Sequence, residues 1–284
     1  MLSSARTRRS STIYQTMNER GLYFIANDAT YDLAVALLNS VRTFEPLMPI
    51  CLIPYNRNYG RILALKSIYQ FSLWEDQAAL CWCDEIGERF HGATLGQYRK
   101  LAMWNGPFQE FAYLDVDTVL LSGLDVSFSL LKDYDIVTGT SDSAASRSFV
   151  WKDTLPEVSF DSAYAANTGV LFSKRNIVSC DDVTRSVEAA LPYAAHMELM
   201  CAEQAFLNHL IVTSGLRYSS LKRIARETNR KDLPQHVWSG RFDGDLLNLK
   251  SPALVIHWAG EWQRGAHLRS PVWNHFRHLR SDCR

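Results

Sequence analysis

The chain has 284 residues, 47% of them hydrophobic and 21% charged, with 30 basic and 30 acidic side chains. A formal net charge of zero gives no electrostatic case for wholesale binding of nucleic acid or a membrane surface, so any anionic ligand has to be held by local chemistry. No apolar run approaches the roughly 20 residues that span a bilayer, and the first residues lack the apolar core of a secretory signal, so the expectation is a cytoplasmic protein without a transmembrane segment.

The opening residues 1–19 are rich in Ser and Arg, carry no acid before Glu19 and read as an unstructured tail, a basic docking segment being the alternative. From residue 20 to 284 a single domain is expected. GLYFIAN (21–27) reads as a buried strand and 29–44 as a helix with apolar residues at helical spacing. The alternation continues with a strand at 47–54, a helix at 58–72, a third strand at QAALCWC (77–83), a helix at 94–106 and a strand that runs into Asp115. Strand candidates follow at 134–140 and 164–174, separated by a Ser-rich mobile loop at 141–148. Two helices are expected around 181–197 and 202–213, then a loop-rich stretch to about 250. A last strand lies at 252–260, and a basic, aromatic helix ends the chain. That helix is expected to pack on the domain, a peripheral membrane contact being the alternative. Strands alternating with helices predict an α/β fold: a Rossmann-like, mostly parallel sheet flanked by helices, with ligands at the carboxyl ends of its strands.

Six cysteines are scattered through apolar segments, as suits reduced thiols. Cys81 and Cys83 form the one close pair, and they lack the second pair that a zinc site at finger spacing requires.

FAYLDVDTVLLSG (111–123) carries the chemistry. Asp115 and Asp117 sit one residue apart in an otherwise apolar strand, and two carboxylates this close resist burial unless a cation or hydrogen bonds compensate them. Three readings are open. The pair is a DxD motif whose carboxylates hold Mn²⁺ or Mg²⁺ together with a nucleotide diphosphate; or Asp115 is the nucleophile of a haloacid-dehalogenase-type phosphatase; or the aspartates are a turn and a cap. The α/β pattern that precedes the pair over some 110 residues favours the first.

KLAMWNGPFQEFAYLDVDTVLLSGLD (100–125) resembles the central segment of the glycogenin-like transferases of glycosyltransferase family 8. FIANDATYDLAVALLNSV, NTGVLF, EQAFLN and VIHWAG resemble further elements of that family in the same order, together spanning about 21–263. The resemblance implies a GT-A fold, a nucleotide-sugar donor, most simply a UDP-sugar, and transfer with retention.

It also implies roles. Ala26, Asn27 and Asp28 would meet base and ribose, although Asp28 equally suits a helix cap. Lys100, with Arg99 beside it, would point into the cleft towards the donor. Asp115, Asp117 and His257 would hold the metal, with Val116 between the aspartates and Gly260 in the turn after the histidine. Asn167, Thr168 and Gly169 would contact the donor sugar, and Glu203 and Gln204 would orient it from the first turn of a helix. At the position six residues after His257, where the family has a lysine for the diphosphate, this chain has Gln263. Arg264 is the neighbouring substitute, since guanidinium binds phosphate well. Another open reading is a catalytically silent nucleotide-sugar binding module. The acceptor, whether glycan, protein or lipid-linked, and the oligomeric state, monomer or homodimer, are not decided by these residues.

Overall fold

A computed structural model describes residues 19–239 and 252–279. Of the tail expected at 1–19, residues 1–18 lie outside them, and so do the residues between Ser239 and Pro252. Glu19 already belongs to the fold, its carbonyl accepting from the amide of Glu110.

The first apolar run is strand β1 (Arg20–Ala26), buried at every residue after Arg20. Helix α1 (Tyr31–Phe44) follows, then β2 (Ile50–Pro54), the short helices α2 (Gly60–Ala64) and α3 (Lys66–Tyr69), β3 (Phe71–Leu73) and α4 (Gln77–His91). A 3-10 segment at Gly96–Asn105 leads into β4 (Glu110–Leu114) and β5 (Thr118–Leu120). Next come α5 (Asp125–Ser129), β6 (Ile136–Thr138), α6 (Ala144–Arg147), β7 (Val170–Lys174), α7 (Cys180–Ala190) and α8 (Gln204–Thr213). The chain continues through β8 (Tyr218–Ser220), α9 (Leu221–Thr228), β9 (Gln235–Trp238), β10 (Ala253–His257) and α10 (Pro271–His278).

Seven strands form one sheet in the order β3-β2-β1-β4-β7-β6-β8, parallel throughout except for β7, which runs against both neighbours. Alternation along β1 sends Tyr23 and Ile25 to one face, into a core shared with Leu80, Phe90, Val187 and Phe206, and Leu22, Phe24 and Ala26 to the other, against Leu37 and Leu38 of α1. With both faces covered the strands have no polar side, which is why β1 and β2 read as unbroken apolar runs. A second sheet, β5-β10-β9, stands beside the first. Its pairing of His257 with Thr118 joins the end of the chain to the residues after the acidic pair. Val272, Trp273 and Phe276 of α10 pack with Leu33 and Ala36 of α1, so the terminal basic helix spends its aromatic face on the protein.

The structure corrects several expectations. QAALCWC is the first half of α4 and not a strand: Asp76 caps it by accepting from the amide of Ala79, and Leu80, Cys83, Ile86 and Phe90 continue a helical spacing that the seven-residue run is too short to reveal. The third strand is instead Phe71–Leu73, at the end of the stretch read as a helix, where Gln70 in the left-handed region stops α3. The Ser-rich segment is not all loop, since Ser143 caps α6 through the amide of Ser146. The loop-rich stretch after 213 contains β8, α9 and β9, and the strand expected at 164–174 begins only at Val170.

Candidate functional site

Strand β4 ends at Leu114, and the chain turns through Asp115, Val116 and Asp117 before β5. The turn is closed from Thr118, whose amide and hydroxyl both donate to the carbonyl of Asp115, at 3.1 and 2.7 Å. Its two ends are tied to different sheets. The Asp115 amide donates to the Gly169 carbonyl beside β7 at 2.7 Å, and the Asp117 carbonyl accepts from the Trp258 amide after β10 at 3.0 Å. These ties bring His257 to the pair across 140 residues of sequence. Its Nε2 lies 3.1 Å from Asp117 Oδ1 and 3.8 Å from Asp115 Oδ2. Ligand atoms of Asp115, Asp117 and His257 fall within 4.8 Å of one another, a set that can hold a metal ion.

Gly169 makes room for this arrangement. A Cβ there would stand 2.4 Å from Asp115 Oδ2 and 2.5 Å from His257 Cε1. Val116 is half-buried between the aspartates, and Gly260 takes a left-handed turn (φ +69°) just beyond the histidine.

Lys100 is also here, but it does not point into an open cleft. It is 2% exposed, and its ammonium is shared among Glu203 Oε1 at 2.5 Å, Asp115 Oδ1 at 3.1 Å and the Thr168 carbonyl at 3.4 Å, over the face of Tyr113. The three protons of a lysine ammonium thus have three acceptors within the protein. Glu203, expected to orient a sugar, is likewise 2% exposed and accepts from Lys100 and from the Thr168 hydroxyl. Both residues belong to a buried lattice behind the aspartates. Gln204 takes part through its side-chain amide, whose oxygen accepts from Asn167 Nδ2 and the Thr168 amide while its nitrogen donates to the Phe149 carbonyl.

The charges respond to this crowding. Burial resists charge on Lys100, yet Asp115 and Glu203 outweigh it and hold the ammonium protonated above its ordinary range. Burial likewise opposes ionisation of Asp115, but Lys100, His257 and the Tyr113 hydroxyl together keep its carboxyl below the usual range. Glu203 is pushed up by burial, Lys100 only partly relieving it. His257 is raised in spite of its burial because Asp117 stabilises its imidazolium. Three carboxylates and one ammonium leave two negative charges when His257 is neutral, the charge that one divalent cation balances.

The residues expected to meet a nucleotide have their polar atoms engaged within the protein. Asn27 accepts from the Ala29 amide as the cap of a short 3-10 turn, and Asp28 Oδ1 accepts from the amides of Arg61 and Ile62 at the start of α2. Those polar atoms are taken by backbone amides, although it is Asn27 that caps the turn after β1 and Asp28, expected to cap there, serves α2 instead, while Ala26 is buried at the end of β1. Arg99 turns from the aspartates to a two-pronged pair with Asp84 and to the Pro54 carbonyl, and with Arg57 and Tyr59 lines a recess at the end of β2. Gln263 and Arg264 are exposed in the 3-10 turn Trp262–Arg264 after β10.

Two members of the site escaped the sequence reading. Tyr113, whose hydroxyl donates to Asp115 Oδ1 at 2.7 Å, stands two residues before Asp115 and could have been placed on the same strand face by alternation. His236, 3.1 Å from His257 through the ring nitrogens, lies in the stretch read as loop and gave no signal.

No family model and no curated protein matches the sequence. Solved structures do. The galactosyltransferase LgtC in complex with donor and acceptor sugar analogues matches with a TM-score of 0.61 over 91% of this chain and 95% of its own, at 15% identity. The fold is GT-A. An active-site mutant of LgtC gives 0.60 over 92% and 95%, also at 15% identity, and mouse xyloside xylosyltransferase 1 in its apo form gives 0.56 over 84% and 97%, at 10% identity. At these identities the likeness is one of architecture. No helix among the described residues is long and apolar enough to cross a membrane.

Proposed function

We propose that residues 20–284 form a single GT-A domain that transfers a sugar from a nucleotide diphosphate donor, most simply a UDP-sugar, to a glycan, protein or lipid-linked acceptor, with retention at the anomeric carbon. The observation that carries this reading is the convergence of Asp115, Asp117 and His257 at the carboxyl end of β4 in a fold whose solved neighbours are glycosyltransferases.

The donor set fits Mn²⁺ or Mg²⁺: two hard carboxylates, one imidazole with a nitrogen turned towards them, two uncompensated charges, and a glycine where any side chain would intrude. When bound, such an ion neutralises diphosphate oxygens and stabilises the negative charge that develops as the glycosidic bond breaks. Asp115 presents Oδ2 to this position while Tyr113 and Lys100 hold its Oδ1. Lys100 keeps Asp115 ionised, Glu203 fixes Lys100, and Gln204 holds the side chain of Asn167 and the backbone amide of Thr168, where the donor sugar would lie. Ala26, Asn27 and Asp28 bound the nucleoside side mainly by backbone, and Arg264 is the exposed cation for the diphosphate.

A panel of nucleotide sugars, assayed for turnover with and without Mn²⁺, tests the reading. Metal-dependent turnover of a UDP-sugar that is lost in Asp117→Ala is the expected result, and metal-independent turnover untouched by that substitution would sink it. Two observations favour a second reading, a silent nucleotide-sugar binding module: Lys100 has no proton to spare for a donor, and Gln263 stands where the family it resembles has a lysine. Mn²⁺-dependent UDP binding by calorimetry, with no turnover of any donor, would select it.

A further inference from the structure

His257 uses both of its ring nitrogens inside the protein. Nε2 faces the two aspartates, and Nδ1 lies 3.1 Å from Nε2 of His236. His236 comes from β9, which runs parallel to β10, and the two imidazoles meet at these nitrogens with centroids 5.1 Å apart and planes inclined by 28°. Trp238 lies against both rings, at 4.5 Å from His236 and 5.5 Å from His257. On its far side His236 meets Gly139, where a Cβ would come within 2.6 Å of its Nδ1. His236 is buried, and that Nδ1 has no hydrogen-bond partner among the described residues.

Counting protons decides what this pair does. A hydrogen bond between two ring nitrogens contains one proton, carried by one of them. For His257 to offer the lone pair of Nε2 to a cation, its own proton must sit on Nδ1, so His236 must accept at Nε2 and carry its proton on Nδ1. That arrangement leaves the buried Nδ1–H of His236 without a partner among the described residues.

We propose that His236 is a positioning residue for the metal site: it accepts the Nδ1 proton of His257, fixes the tautomer of that ring and aims its Nε2 between Asp115 and Asp117. The proposal rests on the reading of Asp115, Asp117 and His257 as metal ligands. The group behind a ligating histidine is most often a carboxylate, a carbonyl or water. A carboxylate here would bring a fourth buried negative charge to a cluster that already has three carboxylates against one lysine. A neutral imidazole supplies the acceptor without that repulsion.

Mn²⁺ titrated into the full chain, with the free aquo ion read by electron paramagnetic resonance, tests both layers. His236→Phe keeps an aromatic ring and loses the acceptor, and is expected to weaken Mn²⁺ binding by about 10- to 100-fold. His236→Gln, whose amide oxygen can accept the same proton, is expected to recover most of that loss. Wild-type affinity in His236→Phe beside a weakened His257→Ala would overturn the proposal and leave the metal reading standing. Equal weakening in the Phe and Gln variants would also overturn it, since ring packing alone would then account for the effect. Wild-type affinity in His257→Ala would overturn the metal reading itself. If His236→Phe does not fold, ¹⁵N imidazole spectra of the wild-type chain with Mg²⁺ bound decide the matter. Protons on Nδ1 of both His257 and His236 are expected, and a proton on Nε2 of His257 overturns the proposal.

Discussion

The two ends of the central sheet handle carboxylate charge in opposite ways. At the amino end of β6, Asp135 takes Lys174 at 2.8 Å and Arg217 at 2.9 Å, and the Arg217 amide donates to its other oxygen at 3.0 Å. One carboxylate there has two cations, both partly in water. At the carboxyl end of β4, Asp115, Asp117 and Glu203 share one buried lysine and one histidine. The first end is complete as the chain folds, whereas the second stays two charges short of neutrality with His257 neutral. Carboxylate oxygens are hydrogen-bonded at both, so it is the charge balance and the depth of burial that separate them.

The largest effect that would sharpen this contrast is on turnover. Asp117→Ala removes one carboxylate from the incomplete end, and the loss of several kcal/mol of transition-state stabilisation should lower the rate with a nucleotide sugar by about 10³-fold or more, with little change in melting temperature. Steady-state assays check it. Next comes Lys100→Met, which leaves Asp115 and Glu203 buried without their cation and should destabilise the fold by about 3–5 kcal/mol in urea titrations. Saturating Mn²⁺ should restore part of that stability. A variant as stable as wild type would mean that the buried lattice is not ionised.

Acid and base should separate the ends by sign. His257 titrates above its ordinary value in the fold, so in metal-free protein its contribution is fully present below about pH 6.5, the unfolded value, and is lost as pH rises through the folded one. The melting-temperature gain from Mn²⁺ should grow over the same range, because the ion displaces that proton. Asp135 behaves oppositely. Arg217 first, and Lys174 in addition, hold its carboxyl well below the usual range, so its contribution is present above about pH 4 and is lost as pH falls further. Asp135→Asn should therefore flatten the acid limb of the stability curve. Its cost at neutral pH should be only about 1 kcal/mol, since Arg217 is more than half exposed and solvent screens the pair. Thermal melts of wild type and Asp135→Asn from pH 2 to 9 check it, and equal acid limbs would mean that Asp135 contributes none of that dependence.

Legibility in the sequence followed how local each signal was. Buried strands such as β1 and β10 announce themselves by apolar runs, and the DxD by two acids in a place where acids do not belong. QAALCWC misled because a run of seven residues, six of them apolar, fits a strand or a helix equally well, and only the spacing through Phe90 separates them. Lys100 was found but turned the wrong way: its position before β4 says that it nears Asp115, and nothing in the chain says that Glu203, 103 residues later, will claim it. Asn27 and Asp28 show the same limit, since a short polar side chain at a strand end can cap a helix or greet a ligand.

The sequence by itself determined the α/β alternation, the acidic pair at the end of a buried strand and the histidine that closes a late one, because each rests on a pattern within a few neighbouring residues. Only the tertiary structure decided which groups are free and which are spent: Lys100 and Glu203 buried against each other, Arg99 drawn off to Asp84, and His236 set behind His257. The reason is that hydrogen-bond partners are chosen in space, where residues from 15 to 103 positions apart in sequence meet.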